Sequence, residues 1–394
     1  MITINSAENA LKTVYLGAIT DLLNTKVNPL LSMIEKTSVD VSGKEIRRAV
    51  RTLLDGGVGA GDEAGDLPNP VPSSYLQFVI SLKNLYGQIE ISDKSIRAGS
   101  EAKGAFTNLL NESLEGLLES SRFNLSRMLF GDGSGFLVNV MQNSNPTGTF
   151  NTLGVANNLT EGMLVDMYDI SNPSVPAKIN VRLLSIDRYG EIQRVVLDID
   201  SDMDSTYSLF VQGSKDKEIT GLGAIFNIDK PLYGLDRRVH KVLRPYIDDY
   251  MKPVSDIVFS SAIDHVEAFT SSTIDYITCA QNVKLAYQEY LSTYKRNVDI
   301  MQLAGGYKTI SFNGIPIVAE RFMQDSKMYF LNSKSFKMHQ LCDWQFIENE
   351  NGRVLRQMQG KPTFSATLVK YCDLVCEKPN GQASIAIDTN PQKK

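Results

Sequence analysis

Histidine is scarce in this chain, with three copies in 394 residues (His240, His265 and His339), none near another in sequence. No His-Glu-x-x-His pair and no Gly-x-Ser-x-Gly elbow is present, since Gly133 directly precedes Ser134. Asp264-His265 reads as a surface pair on a helix, not a catalytic dyad. The four cysteines (Cys279, Cys342, Cys372, Cys376) make no Cys-x-x-Cys motif. Cys372 and Cys376 lie in a strand pattern, where four residues span about 13 Å, beyond disulfide reach. All four are expected to be buried, reduced thiols. No apolar run approaches the roughly 18 residues of a membrane span, and no secretory signal is visible. Net charge is −5, which excludes the broad basic field of a tight phosphate binder. Neither catalytic site, cofactor nor metal is expected.

What is present is an unusual ordering of long elements. Glu45 to Leu54 is strand-like, and Asp55 to Asp66 then holds five glycines (Gly56, Gly57, Gly59, Gly61, Gly65) and four acids with no base. A phosphate cradle needs a glycine turn leading into a helix N-terminus, usually with a lysine. Here four carboxylates would repel phosphate, so the stretch is read as a protruding finger stiffened by Pro68, Pro70 and Pro72.

The return runs through Leu76, Phe78, Ile80 and Leu82 on one face, then Leu85, Ile89 and Ile91 on the other parity. A parity switch marks a bulge or a change of the covered face. One strand over Tyr75 to Ile91 would reach roughly 55 Å and would need burial on another chain. An amphipathic helix follows over 101–130, about 45 Å long, capped by Ser100, with Phe106, Leu110, Leu114, Leu117, Leu125 and Met128 as its apolar stripe. Gly104 and Gly116 each cost up to about 1 kcal/mol there, which predicts close packing at both. Gly131 to Gly135 follow the helix and form its C-cap.

The stretches Leu82 to Arg97, Gly104 through Gly135, Ile219 to Phe226, Asn313 to Val318 and Leu368 to Gln382 resemble, in that order, the major capsid proteins of tailed bacteriophages, especially phages of Gram-positive bacteria. The resemblance covers most of the chain. It implies an α+β fold of the Hong Kong ninety-seven type, with an N-terminal arm (1–43), an extended β-hairpin loop (44–82), and a peripheral domain (83–154) with a spine helix (101–130). An inserted small β-barrel-like domain (155–225), a connector (226–254) and an axial domain (255–361) follow, before a return to the peripheral domain and a tail (362–394).

The residues support this independently. Short strand runs at 163–168, 180–186, 193–199 and 208–212 alternate with turns, as a small barrel would. Asp198, Asp200, Asp202 and Asp204 alternate there, but Met203 and Leu209 stand where a calcium loop needs glycine and glutamate, so a solvated acidic turn is expected. Helical spacing around Val254–Phe269 and 282–294, strands at 274–279 and 328–331, and a hairpin about Asn313-Gly314 make a compact α+β domain, which matches the axial domain that the resemblance implies. Phe364 to Cys376 turns at Pro379-Asn380-Gly381 into Ala383, Ile385 and Ile387, which predicts a terminal hairpin; the resemblance implies that it returns to the peripheral domain beside the spine helix.

The expected function is that of a non-enzymatic structural protein. Pentamers and hexamers would tile an icosahedral shell around double-stranded DNA, which is touched only non-specifically. Because only residues 1–43 precede the finger, the resemblance implies a separate scaffolding protein, with portal and decoration proteins as further partners and no membrane. The expected location is the virion, after assembly in the bacterial cytoplasm. Candidate assembly contacts are Gly56, Gly57, Asp66, Pro68, Phe78, Gly87, Arg97 and Trp344. The finger tip holds no lysine, so covalent cross-linking through it is not expected. Two alternatives remain at this level: an encapsulin-like nanocompartment subunit, and a hydrolase with an unrecognised site in the β-domain.

Overall fold

The computed structural model describes residues 23, 28–52, 56–63, 65–66, 68–70, 72–94, 105–142, 147–189, 192–200, 203, 205–294, 300–302, 308–348 and 352–389. The first helix with described bounds, α1 (Pro29–Met33), starts where Asn28 accepts the Leu30 amide at 2.8 Å and Pro29 fills the first helical position. The expected helical piece before it lies outside the described residues apart from Leu23, which is fully buried.

Strands β1 (Glu35–Thr37), β2 (Val41–Ser42), β3 (Glu45–Arg51) and β4 (Tyr75–Ser81) follow, then β5 (Lys83–Ser92). β2, β3 and β4 form an antiparallel sheet in which Glu45 pairs with Ser81 and Arg51 with Tyr75. The single long strand expected over Tyr75 to Ile91 is therefore two strands in two sheets. The chain breaks register at Leu82, where the parity of the apolar side chains switches. Phe78 and Ile80 are buried before the break, and Leu85, Ile89 and Ile91 after it. The switch serves a change of sheet, because each sheet turns a different face to the core.

The long helix α2 (Ala105–Phe130) comes next. Ser100, Glu101 and Gly104 lie outside the described residues, as do the side chains of Phe106 and Leu110. Leu114, Leu125, Leu129 and Phe130 carry its buried stripe. Six strands then close into a barrel: β6 (Phe136–Gln142), β7 (Thr149–Thr152), β8 (Leu164–Asp169), β9 (Pro176–Asp187), β10 (Arg194–Leu197) and β11 (Thr206–Val211). Its order is β10-β7-β6-β11-β8-β9, around its own core of residues such as Val140, Phe150, Leu183, Val195 and Leu209. The barrel starts at Phe136 and not near 155, because β6 and β7 are needed to close it. Leu209 and Met203 are buried in that core, as befits positions that cannot hold a cation.

After α3 (Leu222–Phe226) come β12 (Tyr246–Pro253), α4 (Asp256–Thr270), β13 (Tyr276–Cys279), α5 (Gln281–Tyr294), β14 (Ile300–Gln302), β15 (Lys308–Phe312), β16 (Ile315–Ala319) and β17 (Lys327–Leu331). β18 (Phe336–Phe346), β19 (Arg356–Gln357), β20 (Thr363–Cys376) and β21 (Ala383–Asp388) complete the chain. Asn313 and Gly314 turn between β15 and β16 with φ of 50° and 79°, the left-handed pair a tight hairpin requires. A seven-stranded sheet runs β12-β21-β17-β13-β16-β15-β14.

The other large sheet is built on the fourteen-residue β20. Along one side of β20 lie β18 and β19 in series, with β1 parallel to β18; along the other side lies β5, paired from Ser92↔Thr363 to Lys83↔Cys372. The expected terminal hairpin is corrected here. β20 and β21 belong to different sheets: the segment after 362 first pairs with β5 and then crosses to β12 and β17 in the seven-stranded sheet, so the two strands do not pair as a hairpin. Likewise β18, expected in the axial unit, pairs in the β20 sheet. One continuous core joins both sheets, the helices and the base of the β3–β4 hairpin. No helix among the described residues is long and apolar enough to cross a membrane.

Candidate assembly surfaces

The β3–β4 hairpin is anchored at its base and bare at its tip. At the base, Ile46 and Ile80 are buried, and Phe78, 1% exposed, packs on Tyr233 with ring centroids 5.0 Å apart. Tyr233 is itself tied to β20: its hydroxyl donates to Leu374 O at 3.3 Å and accepts the Cys376 amide at 2.8 Å. Burial pushes that phenol well above its ordinary pKa, so it stays a neutral hydroxyl able to do both.

Arg48, on the same inner face, bridges Asp40 (2.7 Å) and Glu377 (3.0 Å), and Lys337 reaches Glu377 at 3.5 Å and Glu35 at 3.7 Å. These pairs are half-exposed and contribute little energy each; what they fix is the angle at which the hairpin leaves the body. Beneath them His339, fully buried, has Nδ1 3.0 Å from Val39 O, and burial lowers its pKa from the ordinary value. On the same strand as the Tyr233 contacts, Asp373 is fully buried. Desolvation raises it to about 6 although it accepts from the Thr220 amide at 2.6 Å and the Leu374 amide at 2.8 Å.

Beyond Thr52, whose amide donates to Ser74 O at 2.8 Å, the β-ladder stops. The two arms nevertheless stay together as a flat ribbon. A Cβ on Gly57, where φ is +90°, would sit 3.0 Å from Pro70 Cα, and one on Gly59 would sit 3.5 Å from Pro68 Cγ. The ribbon closes in a turn where the Gly65 amide donates to Asp62 O at 3.1 Å. Val58 is 95% exposed. Among the described residues, no backbone hydrogen bond joins Gly56–Gly61 to the opposite arm.

The expected contact residues divide accordingly. Gly56, Gly57, Asp66 and Pro68 stand exposed on the ribbon. Phe78 (1% exposed) and Trp344 (5% exposed) are buried in their own chain, each beneath its own sheet. Gly87 is half-buried under the long helix; a Cβ there would lie 2.8 Å from Leu117 Cδ1. Arg97 lies outside the described residues.

Several features escaped sequence reasoning. Gly116 was expected to pack closely, yet a Cβ there would meet nothing within 4 Å. It opens on a groove of about 1010 Å³ bounded by β5, α2 and the barrel turns at 160–164 and 211–218, with Trp344 at its wall. An unexplained helical glycine was the one available signal for it. The barrel itself is held to the helix end by a buried pair: Arg127 Nη1 donates to Glu218 Oε2 at 2.9 Å, and Nη2 to Oε1. Gly221 lies so close beneath that end that a Cβ would fall 2.3 Å from Met128 O. The thiols of Cys279, Cys372 and Cys376 are buried and pushed up to about 12, which makes them inert. His265 stacks between Tyr246 and Phe269, at 3.9 and 4.7 Å, and is engaged as an aromatic. Among the described residues no group of three acids, histidines or cysteines could hold a metal ion.

No protein-family model matches the sequence, and no curated protein matches it. Solved structures do. The chain in the capsid asymmetric unit of cyanophage A-1(L) is similar over 92% of this chain and 94% of that one, with TM-score 0.55 and 12% identity. The holo-SrpI encapsulin of Synechococcus elongatus PCC 7942 aligns over 93% and 91% with TM-score 0.49 and 9% identity, and Mycobacterium phage Adephagia over 92% and 91% with TM-score 0.45 and 10% identity. The chain thus has a mixed α+β phage-capsid fold, as the resemblance in its sequence implied.

Proposed function

We propose that this chain is a shell subunit, the major capsid protein of a tailed phage or prophage, assembling as pentamers and hexamers into an icosahedral head around double-stranded DNA. The observation that carries this is the finger. On a phage-capsid fold, a ribbon projects whose tip has an exposed valine and unpaired backbone, and such a surface is useful only when another copy covers it. In this reading α2 is the spine helix, the seven-stranded sheet the axial domain, the β20 sheet the peripheral domain, and the barrel an inserted domain. Its work is geometric and needs no catalytic group. The net charge of −5 suits a wall that must not grip the DNA it receives. Scaffolding, portal and decoration proteins would be its partners, the virion its destination and the bacterial cytoplasm its place of assembly.

Negative-stain electron microscopy of the purified chain, with light scattering alongside, tests this. Closed shells, tubes or rings of five or six copies are expected, alone or with the product of a neighbouring gene. Monomers under both conditions would overturn the reading. Nucleic acid inside native particles, as against a cargo enzyme, separates a virus head from a nanocompartment. Deleting Gly56 to Gly65 should abolish assembly and leave a folded subunit.

A further inference from the structure

Three consecutive residues in the loop between β16 and β17 each hold a different unit of the chain. Glu320 Oε1 accepts from Asn28 Nδ2 at 2.7 Å, and Asn28, 3% exposed, is at the same time the cap of α1. Arg321 donates to the barrel turn that follows β7, from Nε to Asn157 O and from Nη2 to Leu159 O, both at 2.9 Å. Phe322 meets Phe123 of α2 edge to face, with ring centroids 5.2 Å apart. The loop is itself fixed to the seven-stranded sheet, where the Glu320 amide donates to Cys279 O at 2.9 Å. A change at this loop therefore bears on the N-terminal segment, the barrel and the long helix at once.

The charges of this joint are poorly matched. A cleft of about 740 Å³ beside the loop is lined by two arginines, Arg188 and Arg321, and three acids, Glu161, Glu320 and Asp325. Among the described residues no ion pair joins either arginine to any of the three. Arg188 donates instead to Leu159 O, at 3.2 Å, so two guanidiniums share one carbonyl. A carbonyl satisfies a donor and leaves its charge standing. Burial, and then the charge of Arg188, lower the pKa of Arg321. Glu161 accepts the Ile186 amide at 3.1 Å and stays with the barrel. Glu320 faces a neutral amide, and burial lifts its pKa to about 7. Behind it lie the Cys279 thiol, kept neutral by burial, and Lys284 of α5, which also acts on that thiol. A carboxyl with no cation thus stands one residue from a cation with no carboxylate.

Two arrangements are open to such a group. Protonated, Glu320 needs no counter-charge, and the Asn28 amide is a sufficient partner. Ionised and half-buried, it gains more from a guanidinium than from a neutral amide, since charge-assisted hydrogen bonds are about twice as strong. We infer that Glu320 is a pH-operated latch on this joint: protonated, it holds Asn28 and leaves Arg321 on the barrel; ionised, it turns to Arg321 and Arg188, which releases the α1 cap and the 157–159 turn together. The attachment of the barrel through Arg127 and Glu218 is untouched, so the barrel loosens at one of its two moorings and keeps the other. The latch lies within one chain and operates whether or not that chain builds a shell.

Hydrogen–deuterium exchange of the full-length chain across pH 5 to 9, corrected for the intrinsic effect of pH on exchange, tests this. Protection of residues 30–34 and of residues 156–163 should fall together, at least about tenfold, with a common midpoint near 7. Glu320→Gln, which keeps the shape and cannot ionise, should hold both segments protected to pH 9. Arg188→Gln/Arg321→Gln removes the ionised partner and should leave residues 30–34 without a transition. Asn28→Asp keeps a cap for Leu30 and sets a second carboxyl against the first. Two carboxyls sharing one proton ionise later, so its midpoint should move upward, a shift that a merely structural contact would not produce. Protection that is flat with pH, that falls equally in Glu320→Gln, or that is lost at different pH values in the two segments would overturn the inference. Should Glu320→Gln fail to fold, the direction of the Asn28→Asp midpoint decides, and an unmoved or lowered midpoint overturns it.

Discussion

The two ends of the finger obey opposite rules. At its base every apolar side chain on the inner face finds cover in the same chain: Ile46, Phe78 and Ile80 are buried, and Phe78 rests on a tyrosine bound twice to β20. At its tip Val58 finds none, and the backbone from Gly56 to Gly61 has no ladder. The two ends share one hairpin and differ in composition. Sequence that folds on itself carries large alternating apolar groups. Sequence whose burial is deferred to association carries glycine and proline, which keep a shape without needing a core. The lesson is that stability and assembly are separable here by residue, and four expectations follow from that separation.

The largest effect belongs at the base. Phe78→Ala should destabilise the isolated chain by about 3–5 kcal/mol, read by denaturant unfolding, because it empties a fully enclosed site. A loss under about 1 kcal/mol would mean the base is no more integral to the fold than the tip. Next comes a pH effect in the strand that carries the base. Asp373 titrates near 6 when folded and near 4 when unfolded, so the fold favours its protonated form. Its contribution is fully present below about pH 4 and is lost as pH rises through about 6, by at most about 3 kcal/mol. Stability of the native chain minus that of Asp373→Asn should therefore fall between about pH 4 and 7; a flat difference would remove the buried carboxylate from the account.

Tyr233→Phe keeps the ring under Phe78 but leaves the Cys376 amide without an acceptor, and should cost about 1–3 kcal/mol. A Tyr233→Phe chain of unchanged stability would show that the ring alone supports the hairpin. The smallest stability effect is expected at the tip. Val58→Asp should lie within about 0.5 kcal/mol of the native chain by denaturation, yet lose its assembled particles in sedimentation. A Val58→Asp chain that assembles normally would erase the contrast between the two ends.

Much of this architecture was legible before any coordinates. Alternation and turn chemistry placed the finger, both long helices of the seven-stranded sheet, the Asn313-Gly314 hairpin and most strands of the barrel, because these signals are local. Strand membership was not local. Nothing in Phe364 to Cys376 followed by Ala383 to Ile387 distinguishes a hairpin from two strands in different sheets; the partners that decide it, β5 and β12, are more than a hundred residues away. The parity switch near Leu82 was visible, but its meaning needed both sheets. Among the contact residues, glycines and prolines of the tip could be singled out by composition, whereas Phe78 and Trp344 could not be assigned to core or interface, since both settings select large aromatics. Gly116 is the instructive case. Its cost to the helix was evident, yet a Cβ there would meet nothing within 4 Å among the described residues, so the close packing it suggested is not found.

The close approach at Gly221 has a mechanical meaning. With the segment that leaves the barrel pressed at Gly221 onto the last turn of the long helix, and Arg127 clamped to Glu218 beside it, the helix end and the barrel stem form a tight joint. A rotation of the helix end would then carry the barrel stem with it.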